Sequence, residues 1–237
     1  EEGLKNLSAA VVKSGAVFGI AHDGDADRAV FVDETGKFMD GNITLALLAS
    51  YYAEQQPGGE IVTPVSSSGI IEAAGKEYGC TTLYTVVGSP YVARTMREEL
   101  DMGRNVIIGG EGNGGVIYPK HQFCRDGGMS GAVLLALLAA RNVPLSALIA
   151  KLPKYTMYQE KRTTPKAKEI TAHMKEFFKD LPMDTRDGIR ITKGGAWALI
   201  RPSGTEPLIR VYAESQDAAE AKELLDVILN EIKPFLA

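Results

Sequence analysis

The sequence predicts an α/β chain in two parts: parallel-sheet βαβ units, then a small antiparallel α+β domain. Two observations carry this. Between about residues 60 and 141, short β-branched runs alternate with segments of helical apolar spacing, the pattern of a parallel sheet covered by helices. Beyond Lys151-Leu152-Pro153, apolar runs follow one another with short loops and flanking helices, as in an antiparallel sheet. The size and composition fit either one large domain or two small ones: 237 residues, 45% apolar and 24% charged.

Taken in order, Leu4, Leu7, Val11 and Val12 share one helical face, which Gly15 closes. Residues 16–21 and 29–32 are rich in β-branched and aromatic types and predict two buried strands. A turn at 33–37 precedes a strongly apolar helix from about 43 to 54, ended by Gln56-Pro57-Gly58-Gly59. Residues 60–63, 81–86 and 105–108 are strands. Residues 70–78 and 91–100 are helices that stop at Gly79 and near Gly103. A long apolar helix at 129–141 covers the sheet. A polar extended run at 155–164 then leads to a helix carrying Ile170, Met174, Phe177 and Phe178. Strands at 188–192, 196–200 and 208–212 follow, and a last helix runs to about 232 with Asp217 as its N-cap. The boundary between the parts falls near 151–158.

Composition excludes several classes. A net charge of −4 argues against a general nucleic-acid binder while leaving room for local basic pockets. No apolar run is long enough to span a bilayer. Cys80 and Cys124 form no disulfide framework, which points to a reduced, cytoplasmic setting. The chain begins Glu1-Glu2-Gly3, without an initiator Met or a signal-peptide pattern, and reads as a piece of a longer protein.

Three loops carry the chemistry. In His22-Asp23-Gly24-Asp25-Ala26-Asp27-Arg28, three carboxylates on alternate residues repel one another unless a cation sits among them. Hard oxygen ligands at this spacing suit Mg²⁺ or Ca²⁺. Counted from Asp23, the spacing also fits an EF-hand, with Asp25, Asp27 and Glu34 at the third, fifth and twelfth positions. However, Arg28 stands where that loop needs Gly, and the flanks read as strands. The second loop, residues 109–115, is glycine-rich and follows a strand, where ligands gather in parallel sheets. Its Glu111 and Asn113 offer an acceptor and a donor suited to adjacent sugar hydroxyls. The third, Arg201-Pro202-Ser203-Gly204-Thr205-Glu206-Pro207-Leu208-Ile209-Arg210, joins two strands. It gathers two guanidiniums, two hydroxyls and backbone N–H groups around a Gly, a set matched to phosphate. Ser66-Ser67-Ser68-Gly69 and Val87-Gly88-Ser89-Pro90 also follow strands.

In order and spacing the three loops resemble those of the α-D-phosphohexomutases, which comprise phosphoglucomutase, phosphomannomutase and phosphoglucosamine mutase. Residues 23–28 match that family's metal loop, 110–115 its sugar-binding loop in an archaeal-like form, and 201–207 its phosphate-binding loop. The resemblance implies Mg²⁺ on Asp23, Asp25 and Asp27, and Arg28 facing a phosphoserine. It implies sugar hydroxyls on Glu111 and Asn113, and the non-reacting phosphate on Arg201, Ser203, Gly204 and Thr205, with Arg210 beside them. It divides the chain into the end of a second domain (1–36), a third domain (37–152) and a fourth (153–237). Gly115 stands where many members have His, which leaves the acid/base residue open, and His22 and His121 are read as structural.

The family's active serine lies in a first domain, in a Thr-Ala-Ser-His-Asn-Pro-like motif that has no counterpart here. Ser66-Ser67-Ser68-Gly69 lacks the following His-Asn. The implied parent interconverts hexose 1-phosphate and 6-phosphate through a phosphoserine enzyme and a hexose bisphosphate. Its partners are those sugar phosphates and the missing N-terminal domains, with no nucleic acid and no membrane. This chain alone is expected to be inactive and to hold its metal weakly or not at all. Two other readings stay open: a non-catalytic sugar-phosphate binding module, and a Ca²⁺-binding, EF-hand-like structural protein.

Overall fold

The first strands form a hairpin rather than lying apart in a larger sheet. In the computed structural model, which describes residues 2–236, the chain divides into units Glu1–Pro153 and Lys154–Ala237. In the first unit, helix α1 (Lys5–Ser14) ends at Gly15, whose φ of +68° suits the left-handed cap. Strands β1 (Phe18–His22), β2 (Ala29–Asp33) and β3 (Phe38–Met39) make an antiparallel sheet in that order. Phe31 and Val32 are fully buried, whereas most of β1 is only half covered. A Cβ on Gly19 would collide with Val11 and Leu7, so the glycine lets α1 lie against the sheet. Val11 is buried but Val12 is 58% exposed, so the predicted helical face is narrower than its apolar residues.

Helix α2 (Gly41–Gln55) is capped by Asp40, whose carboxylate accepts from Asn42 N–H, and it buries most of its length. Strand β4 (Glu60–Pro64), helix α3 (Gly69–Lys76), strand β5 (Thr81–Thr85), helix α4 (Ser89–Asp101) and strand β6 (Val106–Glu111) follow in the expected alternation. The short strand β7 (Gly115–Ile117), helix α5 (Gly127–Arg141) and helix α6 (Leu145–Ile149) complete the unit. Sheet order is β5-β4-β6-β7, with the first three strands parallel and β7 antiparallel to β6.

Residues 109–115 are therefore the end of a strand and a hairpin turn, not an open loop after the strand. Gly109 and Gly110 continue β6 because the packing leaves no room for side chains. A Cβ at 109 would stand 2.5 Å from Met96 Sδ, and one at 110 would stand 2.6 Å from Gly115 O. The serine-rich segment has an internal role. Ser68 caps α3, and the buried Ser67 hydroxyl accepts from Thr63 at 2.7 Å.

The second unit contains β8 (Thr156–Thr163), α7 (Ala167–Phe177), β9 (Met183–Asp184), β10 (Ile189–Lys193), β11 (Ala196–Pro202), β12 (Leu208–Ser215) and α8 (Ala218–Ile232). Its five strands are antiparallel in the order β8-β12-β11-β10-β9. Alternate residues, among them Ile191, Ile200 and Val211, face a core built with Ile170 and Met174 of α7 and Leu225 and Ile228 of α8. Asp217 caps α8 by accepting from Ala219 N–H. Among the described residues no helix is long and apolar enough to cross a membrane, and Cys80 and Cys124 are free.

Candidate functional site

The Asp-rich loop is the tip of the β1–β2 hairpin. Antiparallel pairing carries His22 opposite Ala29, so residues 23–28 must reverse direction. Ala26 takes a φ of +60°, and its N–H donates to Asp23 O at 3.1 Å. This tight reversal brings Asp23, Asp25 and Asp27 together, each offering an oxygen within 4.8 Å of the others. The flanking elements are strands, not the helices of an EF-hand.

The three carboxylates have different surroundings. Asp23 accepts the Arg28 backbone N–H at 3.1 Å and its Nε at 2.5 Å. Desolvation alone would raise the Asp23 pKa, but those bonds and the Arg28 charge outweigh it and hold the carboxyl below its ordinary value. Asp25 is exposed. Asp27 pairs through Oδ2 with Arg125, while its Oδ1 is buried and accepts no hydrogen bond. Arg28 Nε lies 3.8 Å from that oxygen, beyond hydrogen-bond reach. An unpartnered buried acceptor costs about 1–3 kcal/mol, more when charged, and a cation shared by the three aspartates would relieve it. The residues present therefore fit a hard divalent metal.

The β6–β7 hairpin packs against this loop. Ala29 N–H donates to Gly114 O at 3.1 Å. Gly114 has a φ of +91°, and a Cβ there would strike the Ala29 carbonyl oxygen. Glu111, at the end of β6, is buried. Its Oε2 receives the Asn113 amide at 3.5 Å and lies 3.5 Å from Arg125 Nη1. Asn113 also accepts Gly115 N–H at 3.0 Å through Oδ1, so its side chain helps to close its own hairpin. Arg125 is the site residue that the sequence loops did not mark, and it links Asp27 to Glu111. Beside it, Asp126 caps α5 and contacts His121 at 3.1 Å, while His22 lies against Gly127.

In the second unit the phosphate-type loop joins β11 to β12. Cross-strand register sets Arg201 opposite Arg210 and Arg210 opposite Lys161, a row of cations on the sheet face away from the helix-packed core. Arg201 Nε donates to Asp187 at 3.2 Å, and Arg210 reaches Glu206 at 3.3 Å. The Ser203 hydroxyl oxygen accepts weakly from Thr205 and Glu206 N–H, at 3.4 and 3.3 Å, so those donors converge on one oxygen position. A Cβ on Gly204 would meet nothing, which leaves open space over the turn.

Residues 40–155 match the family profile described as phosphoglucomutase/phosphomannomutase, alpha/beta/alpha domain III, and residues 158–231 match the C-terminal domain of the same family. The chain belongs to the phosphoglucomutase/phosphomannomutase family. It is 40% identical over 230 residues to a phosphoglucomutase/phosphomannomutase of Thermococcus kodakarensis, covering 96% of this chain and 49% of that protein. It is 38% identical over 242 residues to a phosphoglucosamine/phosphogalactosamine mutase of Sulfurisphaera tokodaii, covering 99% and 51%. A family structure from Burkholderia thailandensis superposes with a TM-score of 0.86 at 26% identity, covering all of this chain and 51% of that one. The chain thus spans about half the length of the curated relatives it matches.

Proposed function

We propose that this chain is the C-terminal part of a Mg²⁺-dependent phosphohexomutase that interconverts hexose 1-phosphate and 6-phosphate through a phosphoserine enzyme and a hexose bisphosphate. The observation that carries the reading is the Asp23–Asp25–Asp27 cluster with its buried, unpartnered Asp27 Oδ1. On this reading residues 1–36 close a second domain, 37–152 are the third and 153–237 the fourth. The serine and its domain belong to the part of the parent that precedes Glu1.

The chemistry asked of the residues here is positioning and charge neutralisation, which dominate phosphoryl transfer. Asp23, Asp25 and Asp27 would hold the metal. When bound, it supplies a positive charge that stabilises the seryl oxygen as a leaving group. Arg28 adds a guanidinium facing the transferring phosphate. Glu111, with Asn113 beside it, accepts from sugar hydroxyls and so orients the ring. Arg201, Ser203, Gly204 and Thr205 hold the phosphate that is not being transferred, with Arg210 reinforcing the charge. Either phosphate of a bisphosphate presents the same oxygens to that loop, which suits a substrate that turns over between two half-reactions. Two unpaired cysteines suit the reducing cytoplasm.

The test is ³¹P NMR of the full-length gene product with Mg²⁺ and glucose, mannose or glucosamine 1-phosphate. Growth of a 6-phosphate resonance supports the reading. Binding without conversion of any of the three would favour a non-catalytic sugar-phosphate module.

A further inference from the structure

Arg125 lies 98 residues from Asp27 in sequence, yet its guanidinium reaches both the aspartate loop and the glycine-rich hairpin. Nη2 pairs with Asp27 Oδ2, and Nη1 lies 3.5 Å from Glu111 Oε2. Its side chain is only 23% exposed. Several features hold it there. Residue 125 is bridged to Ile117 at the end of β7. The next residue, Asp126, donates its N–H to Val116 O at 3.0 Å and caps α5. The aliphatic stem of Arg125 crosses Gly115, where a Cβ would collide with Arg125 Cδ. Glycine at 115 therefore gives the arginine its path.

The pairing is selective at the level of single atoms. Arg125 takes Oδ2 of Asp27 and leaves Oδ1 buried without a hydrogen bond, the Arg28 Nε standing 3.8 Å away. It approaches Oε2 of Glu111, as does Asn113, and neither contact uses Oε1. A guanidinium is a planar fork, so fixing one nitrogen on a carboxylate fixes the direction of the others. One side chain thereby sets the orientation of two carboxylates on two separate loops.

We infer that Arg125 is a positioning residue that aligns Asp27 with Glu111, leaving Asp27 Oδ1 for a divalent cation and Glu111 Oε1 for a substrate hydroxyl. This rests on the reading of the three aspartates as metal ligands and of Glu111 as a hydroxyl acceptor. A lysine cannot replace it: its single ammonium is a point charge without the fork that holds two carboxylates at once. Loss of the fork therefore weakens cation binding and sugar binding together, although Arg125 itself bonds neither.

The experiment compares Arg125→Lys, Arg125→Ala and Asp25→Asn in the full-length gene product. Mn²⁺ affinity is read by electron paramagnetic resonance without substrate, KM and kcat are read on glucose 1-phosphate at saturating Mg²⁺, and melting is read by circular dichroism. Both Arg125 variants are expected to stay folded, to bind Mn²⁺ about 10–100-fold more weakly, and to show a raised KM, because partners that orient ligands have effects of that size. Lysine is expected not to rescue. Unchanged Mn²⁺ affinity and KM in both variants would overturn the inference. So would full rescue by lysine, which would mean that charge alone suffices, or unfolding of both variants, which would make the role structural. Wild type that binds no Mn²⁺, or Asp25→Asn that binds it normally, would instead remove the metal reading beneath it.

Discussion

Arg201 and Arg210 stand directly opposite each other on neighbouring antiparallel strands, on the face away from the helix-packed core. Like charges facing each other across a sheet are destabilising, and an anion held between them turns that repulsion into a binding site. Asp187 and Glu206 each engage one of the pair, at 3.2 and 3.3 Å. Added glucose 6-phosphate should therefore raise the melting temperature of this chain. Arg201→Ala should weaken that binding by about 10–100-fold, the loss of one charge-assisted bond of about 1.5–3 kcal/mol. Equal affinity by calorimetry would show that the phosphate loop is misassigned.

Gly114 ties the two hairpins of the first unit together. Its φ of +91° disfavours any L side chain, and a Cβ there would strike the Ala29 carbonyl oxygen. Gly114→Ala should cost at least about 1 kcal/mol through backbone strain alone. It should also speed hydrogen exchange at Ala29 N–H, which donates to Gly114 O. Unchanged exchange at Ala29 would contradict the contact.

Asp126 caps α5, accepting Met129 N–H at 2.7 Å. That backbone bond is the largest cause of a pKa held below the ordinary 3.8, with His121 assisting and partial burial opposing. The sign follows from linkage. Its stabilisation is fully present above the unfolded value and is lost as pH falls through the folded one. Asp126→Ala should cost about 1 kcal/mol at neutral pH and flatten the acid limb of a stability profile. An unaltered acid limb would contradict this.

Glu60, at the start of β4, behaves in the opposite sense. Desolvation, then the Glu99 charge, raises its pKa above the ordinary 4.5, while Arg104 pulls the other way. The unfolded chain ionises first as pH rises, so this group removes stability between the unfolded value and the raised folded one. Glu60→Gln should abolish that decline and make the chain more stable at neutral pH. A Glu60→Gln protein that is less stable at pH 7 would show that the Arg104 contact dominates.

What the sequence makes legible is what is local. Asp23, Asp25 and Asp27 lie on alternate residues of one short segment, so their convergence follows from one tight turn. Asp217 was readable as a cap because capping depends on the next few residues. The alternation of β4, α3, β5, α4 and β6 followed from periodicity. The elements that escaped are set by tertiary pairing. Strand β7 has only three residues, too few to show alternation, and Gly109 and Gly110 look like loop residues until Met96 and β7 are packed against them. Arg125 carries no local signal, because its importance comes from two carboxylates elsewhere in the chain. Lys161 joins the arginine row through a register that only the folded sheet defines.

Ser67 and Ser68 are buried and engaged within the fold, and on the proposed reading the phosphoryl carrier lies in a preceding domain. This chain alone should therefore convert no hexose 1-phosphate to 6-phosphate. Turnover by the purified 237-residue chain would refute the need for a preceding domain.

If the three aspartates hold the catalytic metal, removing the charge of Asp25 alone must impair it. Asp25 is exposed, and Arg28 and Arg125 pair with Asp23 and Asp27 instead, so the change should spare the fold. In the full-length gene product, with glucose 1-phosphate and increasing Mg²⁺, this account predicts that Asp25→Asn abolishes Mg²⁺-dependent turnover while the melting temperature holds. An unchanged kcat would contradict it.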